Sequence, residues 1–228
     1  MTSAGRVFCF DLDDTLVSEW DYVESGLRAA GAILDAEVAT TEGAESAESR
    51  LVRLWRDERG PDTFQRLLAE RGLDAEAWLP RLKRAYREHS PQLTPRAGAV
   101  ELLDALTVSG CSLALVSDGY LEVQQRKWAA LRLPHRFDPV VFADEKGCEY
   151  WKPHPWAFEQ VMRAYPGATR FIYVGDNPAK DFIAPNLLGW MTVMVRDERN
   201  VHPSTFEEGG PAAPQRVVES LAEVAEFA

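Results

Sequence analysis

Three apolar runs in this chain end directly on acidic or hydroxyl side chains. Residues 7–10 run into Asp11-Leu12-Asp13-Asp14-Thr15, residues 112–116 into Ser117-Asp118-Gly119, and residues 171–174 into Gly175-Asp176-Asn177-Pro178. Asp181 lies a turn beyond the last of these, and a lone cation, Lys152, precedes Pro153-His154-Pro155. Clustered carboxylates repel one another and are hard to keep ionised without a cation. An oxygen-only cluster suits Mg²⁺, a hard ion that retains waters and shares a phosphate oxygen. With a lysine on the same rim, such a group can carry phosphoryl transfer. One carboxylate attacks phosphorus, metal and lysine neutralise the equatorial oxygens, and a second acid protonates the leaving oxygen.

Those side chains meet only if strands deliver them to one edge of a sheet. Five runs read as strands, residues 7–10, 112–116, 140–142, 171–174 and 191–195. They are almost continuously apolar, as in a sheet covered on both faces. Helical spacing fills most of the gaps, with Val100, Leu103 and Leu106 before the second run and Trp156, Phe158, Val161 and Met162 before the fourth. Alternating strands and helices predict an α/β fold with a doubly wound, Rossmann-like parallel sheet. In such a sheet, sites form beyond the carboxyl ends of the strands.

The first connection is too long for one crossover, at about 100 residues. Residues 17–91 hold amphipathic segments and no convincing strand. Leu51, Leu54 and Trp55 share one face, Phe64, Leu67 and Leu68 another, and Trp78, Leu82 and Tyr86 a third. Gly60-Pro61 and Gly72 separate them. The expected organisation is therefore a core of residues 1–16 and 92–228 with a small helical domain, residues 17–91, inserted after the first strand. Toward the carboxyl end, residues 203–214 read as a loose segment, and Val217, Val218, Leu221 and Val224 as a last amphipathic helix.

Bulk composition narrows the partners. The 228 residues carry 25 basic and 36 acidic side chains, a net charge of -11. That balance argues against nucleic acid, because phosphate backbones reward clustered Lys and Arg. It leaves room for a small anionic substrate held by a few local cations. No run approaches the roughly 20 apolar residues of a membrane span, and the first six residues lack a signal peptide's apolar stretch. Cys9 and Cys111 read as buried small hydrophobes, and no metal-ligand spacing links them to Cys148. A soluble protein of the reducing cytoplasm is the expectation.

The motifs also carry a resemblance. Phe10-Asp11-Leu12-Asp13-Asp14-Thr15-Leu16 resembles the first motif, DxDxT, of the haloacid dehalogenase superfamily, and Leu115-Val116-Ser117-Asp118-Gly119 its second. Lys152-Pro153-His154-Pro155 with Phe158 is similar to the third, and Gly175-Asp176-Asn177-Pro178-Ala179-Lys180-Asp181 with Ala184 to the fourth, GDxxxxDxxxA. All four occur in the family's order. The helical insert sits where members with an α-helical cap of the first type carry theirs.

The resemblance implies a Mg²⁺-dependent phosphatase in which Asp11 is the nucleophile. Asp13 would be the general acid, then the base that activates water. Ser117 would bind the phosphoryl group, with backbone N–H groups of Leu12, Asp13 and Asp118 as further donors, and Lys152 would hold Asp11 and the phosphoryl oxygens. Asp176, Asp11 and the main-chain carbonyl of Asp13 would ligate Mg²⁺, while Asp181 would ligate through water or orient Lys152. Many relatives carry Asn where Asp118 stands, so Asp118 reads either as part of the substrate pocket or as the cap of the next helix. His154 reads as structural. Trp20, Tyr22, Arg53 and Arg56 are candidates for substrate contact from the insert, and Trp55 for packing.

The expected substrate is a small phosphorylated metabolite, a sugar phosphate or nucleotide. A phosphomutase would use the same Asp11 and Asp13, and a silent regulatory scaffold would keep the fold alone. Dehalogenation and phosphonate cleavage are disfavoured, because relatives with those activities do not keep the second Asp of DxDxT.

Overall fold

The computed structural model describes residues 5–39, 43–202 and 204–228. The first four residues of the amino-terminal stretch and Pro203 of the loose segment lie outside the described residues. The chain divides into two compact units, Met1–Trp20 with Leu93–Ala228, and Asp21–Gln92.

The larger unit is built on six parallel strands, β1 (Arg6–Phe10), β2 (Ser112–Ser117), β3 (Phe137–Phe142), β4 (Arg170–Gly175), β5 (Met191–Val195) and β6 (Arg216–Val218). Their order across the sheet is β3-β2-β1-β4-β5-β6. In central β1, Val7 to Phe10 are all buried, which is why its sequence shows no alternation. Register sets the site: Phe10 lies opposite Leu115 of β2 and Val174 of β4. Asp11, Ser117 and Asp176 therefore emerge from the carboxyl ends of three adjacent strands. Helices α5 (Ala99–Val108), α6 (Leu121–Leu131), α7 (Trp156–Ala164) and α8 (Ile183–Leu187) make the connections. Phe158 of α7 meets Tyr173 and Trp190 edge-on over the sheet, in a cluster that also buries Cys9. Cys9 and Cys111 are buried, as their apolar settings predict, and Cys148 is exposed.

The carboxyl end departs from expectation. Residues 216–218 form strand β6 beside β5, with Val195 opposite Val218, and a 3-10 helix follows over Leu221–Phe227. An amphipathic helix through Val217 and Val224 is thus incorrect. The β-branched pair Val217-Val218 completes an otherwise open sheet edge. Leu221 and Val224 are still buried together, because a three-residue turn brings positions three apart onto one side. Strand β3 is also longer than residues 140–142, since it runs through Pro139, which the sheet edge tolerates.

The smaller unit consists of α1 (Glu19–Glu37), whose first two residues belong to the larger unit, α2 (Ala47–Glu58), α3 (Thr63–Glu70) and α4 (Ala75–Glu88). Asp35 of α1 accepts the α2 N–H groups of Ala47 (2.7 Å) and Glu48 (3.2 Å), and Ser46 caps Ser49. Leu51, Leu54, Trp55, Leu67, Leu68 and Leu82 are buried on the faces their spacing predicts. Tyr22 packs edge-on against Tyr86 at 5.8 Å, while Arg53 pairs with Glu45 and Arg56 with Glu24. No described helix is long and apolar enough to cross a membrane.

Candidate active site

After Phe10 the chain leaves strand geometry. Asp11 N–H still bonds to Val174 O at 2.9 Å, but Leu16 and Val17 N–H both turn back to Leu12 O. Asp14, at φ 50°, anchors this turn. Its carboxylate accepts Glu19 N–H at 2.9 Å and Val201 N–H at 2.6 Å, while Arg96 donates to its carbonyl and pairs with Asp197. The loop that presents Asp11 and Asp13 is thus braced by the segment after β5.

Lys152 sits at the centre with a fully buried side chain. Its Nζ donates to Asp11 Oδ1 (2.5 Å), Asp181 Oδ1 (2.7 Å) and Tyr173 OH (3.0 Å). Burial works against its charge, but Asp11 and Asp181 outweigh it and hold the ammonium well above the ordinary lysine range. Asp11 is pushed up to about 7 by burial, against the opposing pull of Lys152. Burial also pushes Asp181 upward, yet the charges of Lys152 and Lys180 and its hydrogen bonds bring it below the usual carboxylate range. Its second oxygen accepts N–H from Asp176 (3.2 Å) and Asn177 (2.8 Å). A Cβ at Gly175 would stand 2.7 Å from that oxygen, so the glycine of the fourth motif is what lets Asp181 fold back over the strand end.

Carboxylate oxygens of Asp11, Asp176 and Asp181 lie within 4.8 Å of one another. Asp176 Oδ2 is buried with no hydrogen-bond partner, and burial, then Asp181 and Asp11, raise its pKa well above the usual range. An orphan oxygen in an all-carboxylate cluster fits a hard divalent cation such as Mg²⁺. At the end of the neighbouring strand, Ser117 Oγ is buried and likewise lacks a protein partner.

Asp13 belongs to a different cluster. Its carboxylate accepts Lys127 Nζ at 2.7 and 2.8 Å and Gln124 Nε2 at 2.9 Å, both from α6. The side chain therefore stands apart from the three-carboxylate group. Glu19 lies beside this second cluster and is pushed up to about 7, first by burial and then by Asp13, with Lys127 opposing. Asp118 does not cap α6, whose first N–H, on Leu121, bonds instead to Asp144 at 2.9 Å. Asp118 accepts Lys152 N–H at 3.1 Å and faces Lys180 at 3.7 Å, so it fixes the loop that carries the central lysine. His154 accepts Trp156 N–H at the start of α7, a structural role.

Gln124, Lys127, Tyr173 and Lys180 are the site residues that the motifs do not single out. Tyr173 carries a sequence signal, a phenol in a buried apolar strand two residues before Gly175-Asp176. Gln124 and Lys127 carry a weaker one, polar side chains three apart on a helix that starts just after the second motif.

The profile of the haloacid dehalogenase-like hydrolases matches residues 6–189, and the chain belongs to that family. It is 27% identical to a glyceraldehyde 3-phosphate phosphatase of Methanocaldococcus jannaschii over 82% of each chain. It is 34% identical to a phosphoserine phosphatase of Thermus thermophilus over 50% of this chain and 43% of that protein, so it spans under half of that relative's length. Among solved structures, a magnesium-bound HAD-hydrolase of Bacillus subtilis shares the fold with a TM-score of 0.66, at 21% identity over 97% of both chains. The L-2-haloacid dehalogenase of Xanthobacter autotrophicus shares it at 0.60, with 20% identity over 97% of both chains.

Proposed function

We propose that this protein hydrolyses a small phosphate monoester through a phospho-aspartate on Asp11, with Mg²⁺ as cofactor. The observation that supports it best is the partition of the carboxylates: Asp11 shares a buried lysine with Asp181 beside Asp176, while Asp13 is held by another cation. A nucleophile and a proton carrier need different surroundings.

In the first step Asp11 attacks phosphorus and the bond from phosphorus to the ester oxygen breaks. Asp13 gives its proton to the departing alkoxide. In the second, water attacks the phospho-aspartate, Asp13 takes a proton from it, and the bond between phosphorus and Asp11 breaks to release phosphate. Lys152 balances charge on Asp11 and the phosphoryl oxygens, and Ser117 Oγ donates to them. Asp11 and Asp176 would hold Mg²⁺, with the Asp13 carbonyl as a further ligand and Asp181 orienting Lys152. When bound, the ion neutralises phosphoryl charge.

The named relatives act on phosphoserine and glyceraldehyde 3-phosphate, which supports a small phosphorylated metabolite as substrate. The core residues handle only the phosphoryl group, so we assign substrate selection to the helical unit, as a cap. The free cysteines support a reducing compartment such as the cytoplasm. The test is phosphate release from a panel of sugar phosphates, nucleotides and small organic phosphates, with Mg²⁺ and with EDTA. Metal-dependent release is expected, and Asp11→Asn should lower it by on the order of 10⁴-fold or more while the protein stays folded. Unchanged turnover in that variant would remove Asp11 as the nucleophile. Conversion of a sugar phosphate without free phosphate would point to a mutase.

A further inference from the structure

We propose that Lys127 and Gln124 are positioning residues for Asp13, holding its carboxylate apart from the metal-binding carboxylates and reserving it for proton transfer; this rests on the phosphatase reading. The lysine side chain is only 3% exposed, and its Nζ reaches both Asp13 oxygens at 2.7 and 2.8 Å. Gln124, one turn earlier on the same face of α6, adds a third hydrogen bond at 2.9 Å. Three hydrogen bonds from two donors on one helix thus fix a side chain that otherwise rests on a turn.

The surroundings are shaped for this contact. Gly119 has φ 112°, and a Cβ there would stand 2.6 Å from Gln124 Nε2, so the glycine makes room for the amide. Asp144 ties the start of α6 to the loop of the central lysine. One of its oxygens accepts Leu121 N–H and the other Trp151 Nε1–H, each at 2.9 Å, and Trp151 precedes Lys152. The two lysines are therefore referenced to a common anchor.

A purely structural ion pair is the competing account. Buried pairs add little net stability relative to an apolar replacement. A proton carrier, in contrast, must be held within about 0.5 Å of its working geometry. Asp13 lies two residues from Asp11, on a loop facing a site for a divalent cation. A carboxylate free to rotate there competes for that cation, and the α6 donors oppose this.

The experiment compares Lys127→Met, Lys127→Arg and Gln124→Leu on an alkyl phosphate and on p-nitrophenyl phosphate, with Mg²⁺ present. An alkoxide needs a proton to leave and a nitrophenolate does not. For Lys127→Met, kcat on the alkyl ester should fall by about 10²-fold, within the range of general acid–base catalysis. The nitrophenol burst should fall less than about tenfold, and KM should stay within about threefold. Lys127→Arg should recover most of the alkyl-ester rate, and Gln124→Leu should show the same selectivity at smaller size. Should Lys127→Met fail to fold, the last two variants decide. Equal losses on both esters, or no loss, would overturn the positioning role and leave the phosphatase standing. A wild type that releases phosphate from neither ester nor from any of the sugar phosphates, nucleotides and small organic phosphates would overturn both.

Discussion

Two buried lysines serve one loop in different ways. Lys152 arrives on a loop and is shared among Asp11, Asp181 and Tyr173, with both carboxylate partners also enclosed. Lys127 arrives on a helix and serves Asp13, whose side chain keeps 16% exposure. Asp11 and Asp13 are separated by one residue, yet each answers to its own cation, carried by its own element. The spacing of the Asp11 and Asp13 carboxylates is thereby fixed by the sheet and α6, and not by the turn alone. Similar residue types, differently enclosed, acquire different chemistry.

The strongest way to break this comparison is to remove each charge and measure stability. Lys152→Met leaves two enclosed carboxylates without their cation, and loss of one partner of a buried pair costs about 3–5 kcal/mol. Lys127→Met leaves one carboxylate that still reaches solvent and Gln124, so roughly half that loss is expected. Urea unfolding of the metal-free proteins gives both values. Equal losses would mean that the two pairs are enclosed alike and that the partition is only apparent.

How far the sequence speaks differs between the two lysines. The parallel sheet, its crossovers and the helical insert follow from apolar runs and spacing, and the ordered motifs bring Asp11, Ser117, Lys152, Asp176 and Asp181 to one rim. The Lys127 contact depends on the pitch and placement of α6 against a turn 111 and 114 residues away, which local spacing does not encode. Asp118 is ambiguous in the sequence for a related reason. A carboxylate before a helix reads as its cap, but Asp144, from the segment after β3, occupies that position. The sequence hides the last strand because Val217, Val218, Leu221 and Val224 satisfy a helical repeat as well as a strand followed by a 3-10 turn.

A smaller effect separates the clusters by proton and metal linkage. Burial pushes Asp11 up to about 7 and Asp176 well above the carboxylate range. The folded chain then keeps protons that the unfolded chain releases above about pH 4, so these groups weaken the metal-free fold as pH rises toward about 7. On the proposed reading Mg²⁺ would bind the ionised form and offset that loss, by about 2.7 kcal/mol at a hundred times its Kd. Thermal melts with and without Mg²⁺ should show a larger stabilisation at about pH 8 than at about pH 5, where protons compete. A shift equal at both pH values would argue against these carboxylates as the site of binding. Lys127→Met, outside the cluster, should keep the shift.

The smallest expected effects come from the two glycines that make room for the clusters, and they sharpen the contrast. Gly175→Ala places a methyl 2.7 Å from the Asp181 carboxylate, which is fully buried and has nowhere to move. Overpacking of that kind costs about 1–3 kcal/mol. Because Asp181 orients Lys152, turnover of alkyl and nitrophenyl esters should fall together. Gly119→Ala meets the end of a flexible Gln124 side chain instead, at a backbone angle that L residues rarely adopt, and should cost about 1–2 kcal/mol. Its kinetic signature should be selective, with the alkyl ester slowed and the nitrophenyl ester nearly unchanged, because Asp13 alone loses a donor. If Gly119→Ala slowed both esters equally, the Gln124 contact would be part of the support of Asp11, and the two clusters would be one.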